Sequence, residues 1–281
     1  MSLSFFPSQL VGDFTITAIS DGYLSASLDF LSNIAPAEAA SMQGAAGQAV
    51  PDAVHINCYI VRSANRSILI DGGAGGVKQW GGRLHDNLLL AGIDPASIDT
   101  ILLTHAHPDH VGGLVGPAGQ RRFPKAQLLV HQHEVAFWND DANLSRASAR
   151  AKGNFAMARR VFDAYRGQLR TFLGGTVLPG IQAMPLLGHT PGHTGYLLES
   201  HAQSLLVWGD IVHFPHIQIE RPDVSIAFDQ DPAMAATTRS RLLDMACSEK
   251  LLVAGMHLGE LGFARIRHTS GTYGLQYETL V

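Results

Sequence analysis

The run THAHPDH at positions 104–110 constrains this chain more than any other segment. It places three imidazoles and one carboxylate within six residues, directly after a predicted apolar strand. Side chains two residues apart on an extended backbone point the same way, so His105 and His107 can converge on one ion. Asp109 and His110 begin a turn or helix that can carry them toward a second ion. Imidazole nitrogen and carboxylate oxygen suit divalent zinc, iron, manganese or cobalt.

Three further segments bring a polar side chain to the end of a predicted strand or to the turn beside it. They are GHTPGH at 188–193, LLVWGD ending at Asp210, and LVAGMH ending at His257. Open α/β sheets place their active sites at such carboxyl edges, so these residues are candidates for the missing ligands. Spacing alone leaves His189 and His193 as alternatives for one ligand position.

Strands and helices alternate along the chain, and this pattern predicts one α/β domain over residues 1–281. Strands are predicted at 13–20, 54–62, 67–70, 100–104, 127–130, 181–187, 194–199, 204–208 and 251–254. Helices are predicted after Pro36, at 84–91 and at 231–247, the last opened by Asp231 and Pro232. Helical spacing also predicts an insertion of one or two helices at about 144–173.

The composition limits the partners that such a domain can have. Hydrophobic residues make up 46% of the chain, which is enough for a substantial core. The 20 Lys+Arg against 24 Asp+Glu give a formal net charge of −4, which argues against a nucleic-acid partner. No apolar run reaches the roughly 18 residues that a membrane span needs, so no membrane association is expected.

Two features bear on the cellular compartment. The chain has two cysteines, too few for a disulfide framework, which makes a reducing compartment the default. Its first six residues lack the basic and apolar regions of a signal peptide, so we expect a cytoplasmic protein. The start MSL is also typical of an expression scar, which leaves a removed native leader as the alternative.

The four motifs together resemble the metallo-β-lactamase superfamily. The His-x-His-x-Asp-His run, the Gly-His-Thr-Pro-Gly-His run, the strand-end aspartate and the late histidine stand in family order between about Val54 and His257. The resemblance implies a four-layer αβ/βα sandwich with a two-metal site at one edge. It implies two divalent metal ions as cofactors, with zinc expected and iron, manganese or cobalt as alternatives.

The same resemblance implies which residues hold each ion. By motif position, the ligands of the first ion are His105, His107 and His189. Those of the second ion are Asp109, His110 and His257, and Asp210 bridges the two ions. The family places its ligand on the first histidine of Gly-His-Thr-Pro-Gly-His, which favours His189 over His193.

Five further residues are predicted to lie around the site without binding an ion. Asp71, in the family's Asp-x-Gly position, would orient a ligand histidine. His193 would support the site structurally. His213, three residues after Asp210, would present a polar group to the substrate, with a simple loop role as the alternative. Phe137 and Trp138 are candidates for the substrate pocket, with ordinary core packing as the alternative.

A carboxylate-bridged metal pair implies hydrolytic chemistry. Metal binding lowers the pKa of water from about 15.7 toward 7, so a metal-bound hydroxide can attack a carbonyl or phosphoryl centre. Asp109 and Asp210 are the catalytic candidates, and the resemblance implies that Asp109 shuttles a proton to the leaving group. His107 stands where redox di-iron members of the family have a glutamate, and this favours hydrolysis.

Within the family, the second half of the chain resembles the methyl parathion hydrolase and lactonase-like branch. The likeness lies in TGYLLES at 194–200, LVWGDIVH at 206–213 and IQIERPDV at 217–224. It implies a small-molecule substrate: a lactone, a small ester or a phosphotriester, with lactones as the expected native class. Dimers are common in the family, which makes a homodimer the oligomer to test.

Two alternatives stay open. Among enzymes, the alternative is a glyoxalase II-like thioesterase or a β-lactamase. Outside enzymes, it is a binding or regulatory member that keeps the fold without turnover, although such members often lose ligands and this chain has all seven.

Overall fold

The computed structural model describes residues 6–269 and 271–278. Of the first six residues, on which the signal-peptide expectation rests, only residue 6 is described. Sixteen strands run through these residues. In chain order they are β1 (Ser8–Val11), β2 (Phe14–Ser25), β3 (Leu31–Ser32), β4 (Ala53–Ser63), β5 (Arg66–Ile70), β6 (Thr100–Leu102), β7 (Gln127–His131), β8 (Leu169–Phe172), β9 (Gly175–Leu178), β10 (Ile181–Pro185), β11 (Thr194–Ser200), β12 (Gln203–Val207), β13 (Ser225–Ile226), β14 (Leu252–Ala254), β15 (Phe263–Thr269) and β16 (Thr272–Tyr277).

The strands form two seven-stranded sheets, one from each half of the chain. The first has the order β1-β2-β4-β5-β6-β7-β8, and the second β16-β15-β14-β12-β11-β10-β9. Strands β5 to β8 run parallel, as do β12 and β14, while the other pairs within these two sheets are antiparallel. A short antiparallel pair joins β3 to β13. Both large sheets are therefore mixed.

Eight α-helices connect the strands in the described residues. They are α1 (Pro36–Ala45), α2 (Leu84–Leu90), α3 (Pro108–Val111), α4 (Gln132–Asn139), α5 (Asp141–Arg146), α6 (Ala149–Ala164), α7 (Pro215–Gln218) and α8 (Pro232–Ser248). The predicted opening of the last long helix is confirmed, because Asp231 caps α8 by accepting a hydrogen bond from Met234 N at 2.9 Å. No helix of the described residues is both long and apolar enough to cross a membrane.

Alternating apolar residues create the layers of the fold. On β4, Tyr59 and Val61 pack into the core between the two sheets, whereas Cys58 and Ile60 pack under α2, α4 and α6. On β12, Val207 faces the inner core and Leu206 packs against α8. A strand buried on both faces reads as a continuous apolar run, which explains the sequences of these strands. The predicted four-layer αβ/βα sandwich is confirmed.

The predicted insertion at 144–173 is wrong at its C-terminal end. Helices α5 and α6 cover residues up to Ala164, but Leu169–Phe172 is strand β8, parallel to β7. Helical spacing pointed to a helix there, and tertiary pairing with the edge of the first sheet overrides it. The C-terminal hairpin of β15 and β16 was not predicted at all, because its residues show weak apolar alternation.

Candidate metal centre

His105, His107 and His189 bring three ring nitrogens together, and we call them the three-imidazole group. His107 Nδ1 lies 3.0 Å from His105 Nε2 and 2.9 Å from His189 Nε2, and those two Nε2 atoms are 3.2 Å apart. All three side chains are buried. Burial lowers the pKa of His105 and of His107 well below the ordinary value, so both rings are neutral.

The hydrogen bonds behind these rings decide which nitrogens carry a proton. Asp229 lies 2.8 Å from His189 Nδ1 and can accept a hydrogen bond from it, and in the neutral tautomer that this bond favours the facing Nε2 carries a lone pair. Thr104 Oγ1 donates to Asp71 and therefore accepts from His105 Nδ1, which leaves His105 Nε2 as a lone pair as well. Two buried lone pairs 3.2 Å apart repel each other, and a divalent cation between them would turn that repulsion into coordination.

A second set of ligand atoms lies beside the first, and we call it the carboxylate group: Asp109, His110, Asp210 and His257. His110 Nε2 is 3.1 Å from an Asp210 oxygen and 3.3 Å from Asp109. His257 Nε2 is 3.2 Å from Asp210 and 3.5 Å from Asp109. Mixed imidazole and carboxylate donors suit a divalent transition metal.

Both histidines of the carboxylate group are held from behind. His110 Nδ1 lies 2.7 Å from Asp71 Oδ2, and His257 Nδ1 donates to the backbone oxygen of His55 at 2.7 Å. Although burial alone would lower it, the carboxylates around His110 raise the pKa of its imidazole. Asp71 therefore stands where the sequence predicted it, in contact with a candidate ligand histidine.

Asp210 lies between the two groups. Its Oδ2 is 3.5 Å from His189 Nε2 and 3.7 Å from His105 Nε2, in addition to its contacts with the carboxylate group. Its buried Oδ1 accepts no hydrogen bond from the described residues. Burial alone would raise the pKa of Asp210, but His110 and His257 hold it well below its usual range, so the side chain is a carboxylate. These features fit a ligand shared by two cations.

The loop that carries Asp210 depends on His193. Its Nε2 accepts a hydrogen bond from Asp210 N at 2.9 Å, and its Nδ1 donates to Leu186 O at 2.8 Å. Burial lowers the pKa of His193 to about 3, so this neutral tautomer is stable. A Cβ on Gly209 would lie 2.4 Å from His193 Nε2, and the φ of +61° also favours glycine. The structure thus places His189 in the cluster and His193 outside it.

Asp229 and Arg239 were missed by the sequence analysis. Asp229 bonds His189, and the guanidinium of Arg239 lies 3.9 Å from its other oxygen. Arg239 is fully buried and donates to the backbone oxygens of Ile211 and Val224. Burial would raise the pKa of Asp229, but the hydrogen bond from His189 and the nearby guanidinium of Arg239 lower it. The stretch FDQDP at 228–232 was the available signal, but it indicated only a helix cap and a part of the likeness to the methyl parathion hydrolase and lactonase-like branch.

A cavity of about 400 Å³ opens above both groups. Candidate ligands His107, Asp109, Asp210 and His257 lie in its wall, and apolar surface comes from Trp80, Phe137, Phe155, Phe228 and Val54. Phe137, one of the two predicted pocket residues, lies in the cavity wall. Trp138 does not line it, because its ring packs behind His107 with 5.5 Å between centroids.

His213 also lines this cavity. Its Nε2 lies 3.2 Å from Asp210 Oδ2, and its ring stacks on His257 with 5.3 Å between centroids. Neither ring nitrogen makes a well-aligned hydrogen bond with the described residues. A buried imidazole without a well-aligned hydrogen bond to the described residues thus lies beside Asp210 in the cavity wall.

The family of the chain follows from its match to known proteins. Residues 51–257 match the family model described as the Metallo-beta-lactamase superfamily, and the chain belongs to this superfamily. The membership predicted from the sequence is therefore confirmed. Members of the superfamily are typically metal-dependent hydrolases with two metal ions, and the two ligand groups of this chain fit that pattern.

Two solved structures share the whole fold. A structure described as hydrolase AbOPH of the beta lactamase superfamily has 28% identity and a TM-score of 0.92, covering 98% of each chain. A structure of AidC, described as a dizinc quorum-quenching lactonase with a bound product, has 24% identity and a TM-score of 0.91, covering 100% of each chain. The second likeness shows the fold alone.

Curated relatives match shorter stretches. YobT of Bacillus subtilis (strain 168), described as uncharacterized, is 30% identical over 146 residues, which are 50% of this chain and 56% of YobT. A beta-lactamase-like protein 2 homolog of Drosophila melanogaster is 48% identical over 65 residues, 23% of this chain and 21% of that protein. The chain thus spans about half or less of these curated relatives.

Proposed function

We propose that the protein is a dinuclear metal-dependent hydrolase that opens lactones or cleaves small esters or phosphotriesters. One observation carries the proposal: Asp210 Oδ2 lies within 3.7 Å of nitrogens from both ligand groups, in the wall of a cavity. A shared carboxylate between two sets of imidazoles is the arrangement that two-metal hydrolysis needs.

The residues divide the chemical work. When bound, the two metal ions lower the pKa of a water molecule and polarise the attacked carbonyl or phosphoryl oxygen. Asp109 lies in the cavity wall, where its carboxylate can receive a proton and pass it to the leaving group. His213 lies in the same wall, where its imidazole can donate a hydrogen bond to a substrate oxygen. No serine or cysteine nucleophile is required.

The cavity supports a small, largely apolar substrate. Its volume of about 400 Å³ lies in the range typical of small-molecule sites, and aromatic rings form much of its wall. A neutral lactone with a short acyl chain would bury its apolar part against these rings. We therefore propose lactones as the native class, zinc as the native metal, and phosphotriester cleavage as a side reaction.

A substrate panel on metal-quantified protein tests this function. The panel contains acyl-homoserine lactones, dihydrocoumarin, aryl esters, paraoxon, nitrocefin and S-lactoylglutathione. We expect the highest kcat/KM on a lactone and weaker turnover of paraoxon. Dominant turnover of nitrocefin or S-lactoylglutathione would replace the proposal with a β-lactamase or a thioesterase. No turnover of any substrate in the panel by a protein with two bound metal ions would favour a non-catalytic member of the fold.

A further inference from the structure

A buried carboxylate that belongs to neither ligand group joins the two segments that carry the three-imidazole group. Glu134 lies in the first turn of α4 and is completely buried. Its Oε2 accepts hydrogen bonds from Ala106 N at 3.0 Å and from Trp138 Nε1 at 2.7 Å. Its Oε1 accepts from Gly192 N at 3.0 Å and from the hydroxyl of Thr190. Four donors thus converge on one side chain.

The positions of these donors point to the metal centre. Ala106 stands between His105 and His107, and Thr190 directly follows His189. One carboxylate therefore ties the turn after β6, in the first sheet, to the loop before β11, in the second. The two sheets are also joined by Thr194 N, which donates to the backbone oxygen of Thr104. Glu134 adds a connection between the two segments that carry the candidate ligands.

Trp138 extends the same contact to a candidate ligand. Its indole donates to Glu134 Oε2, and its ring packs edge-on against His107. The carboxylate is thus linked indirectly to all three imidazoles. Ala106 and Trp138 connect it to His105 and His107. Thr190 and Gly192 connect it to the loop of His189. No other described carboxylate contacts both of these ligand segments through backbone amides.

We propose that Glu134 is a positioning residue that sets the spacing of the three-imidazole group and thereby the affinity of the ion held there. The inference rests on the metal-binding part of the proposed function and does not depend on the substrate. It predicts an effect on one ion and not the other, because Glu134 accepts hydrogen bonds beside the three imidazoles and from no member of the carboxylate group. A residue with a purely structural role would lower stability without this selectivity.

Glu134→Gln is the sharpest variant because it keeps the shape of the side chain. The glutamine amide can point its nitrogen either way. At the Oε2 position the nitrogen would face the N–H donors of Ala106 and Trp138, and at the Oε1 position it would face Gly192 N and the Thr190 hydroxyl. At least one backbone N–H would then lose its acceptor. Asp99→Asn is the matched control. Asp99 accepts from Ser67 N at 2.8 Å and Thr100 Oγ1 at 2.6 Å, at the opposite end of β5 and β6.

The experiment is a chelator competition that resolves the affinities of the two zinc ions, with unfolding curves measured alongside. In Glu134→Gln we expect one zinc ion to bind about tenfold more weakly or worse and the other to be unchanged, as for other residues that orient metal ligands. In Asp99→Asn both affinities should match wild type. Equal weakening of both ions, or no weakening in a folded Glu134→Gln protein, would overturn the inference.

A second variant covers the case in which Glu134→Gln does not fold. Trp138→Phe keeps a ring against His107 and removes one donor to the carboxylate. It should weaken the same single ion by a smaller factor, about threefold, and unchanged affinity there would also contradict the inference. A wild-type protein that binds no zinc would instead remove the proposed function, so the two failures are distinguishable.

Discussion

The three-imidazole group and the carboxylate group differ in how they meet a divalent charge. The first offers only imidazole nitrogens, from His105, His107 and His189. The second contains Asp109 and Asp210 as well as two imidazoles. A cation in the second group is compensated by two carboxylates, whereas one in the first depends on the shared Asp210 and on well-aligned lone pairs.

This difference explains why residues outside the ligand set surround the three-imidazole group. Each ring of the three-imidazole group has its tautomer or its spacing controlled from behind, by Asp229, by Thr104 or by the contacts around Glu134. In the carboxylate group, Asp71 holds His110 and a backbone oxygen holds His257. The group without its own carboxylates should therefore be more sensitive to changes outside the ligand set.

The largest effect is expected for Asp210→Asn, which acts on both groups. Loss of the shared negative charge should weaken the binding of both ions and lower kcat/KM at least about a hundredfold. Removing a residue that only supports a ligand costs up to about a hundredfold, and Asp210 is itself a candidate ligand. Metal content and steady-state hydrolysis measure both consequences. Asp86→Asn, on an exposed face of α2, serves as the control and should behave as wild type. Near-normal activity of Asp210→Asn would remove the shared carboxylate from the mechanism.

His189→Ala and His257→Ala separate the groups. Each should leave a folded protein that binds one metal ion instead of two, and each should lose most of its turnover because both ions act on the same bond. Metal analysis after exhaustive dialysis gives the stoichiometry. A protein that keeps two tightly bound ions after either change would contradict the assignment of that histidine.

The carboxylates behind the ligands should show a smaller and graded effect. Asp71 bonds His110 directly and reaches His105 through Thr104, whereas Asp229 bonds only His189 among the ligands. Asp71→Asn should therefore lower the binding affinity for both ions by about 10- to 100-fold. Asp229→Asn should lower the affinity for one ion by a factor in the same range. Chelator competition on the two variants checks the order. Identical profiles for the two variants would show that the ligands are not oriented separately.

The smallest effect concerns stability at low pH, through His55, whose backbone oxygen holds His257. Burial lowers the pKa of the His55 side chain to about 4, below its ordinary value of 6.5. Between these values the unfolded chain binds a proton that the folded protein does not. His55 therefore contributes a loss of stability as the pH falls from about 6.5 to 4.

Denaturant unfolding of metal-free protein at pH 7 and pH 5 tests this contribution. His55→Gln removes the titrating ring, so the difference in unfolding free energy between the two pH values should be smaller than in wild type. An unchanged difference would show that His55 is not held neutral in the fold.

The candidate ligands were predictable because each follows an apolar strand and stands in a compact motif. His105, His107, Asp109 and His110 are nearly contiguous, and Asp210 and His257 mark strand ends. Such local signals survive in a sequence without any knowledge of tertiary contacts. The layer order of the fold was predictable from the resemblance that these motifs carry.

Two supporting residues, Glu134 and Asp229, were not predictable, because most of their partners lie far away in the sequence. Glu134 accepts from donors 28 and 58 residues away, and Asp229 bonds a histidine 40 residues away. Locally, each looks like an ordinary acidic residue near a helix start. Strand β8 was not predicted for a similar reason, since its pairing with β7 is what distinguishes it from the helical segment before it.

A zinc titration of the metal-free protein, followed by hydrolysis of an acyl-homoserine lactone, tests the central claim most directly. Two metal ions that share Asp210 should give turnover that rises with added zinc and reaches its maximum at two equivalents per chain. Full turnover in the metal-free protein would contradict this account. So would the binding of two zinc ions with no turnover of any lactone, ester or phosphotriester.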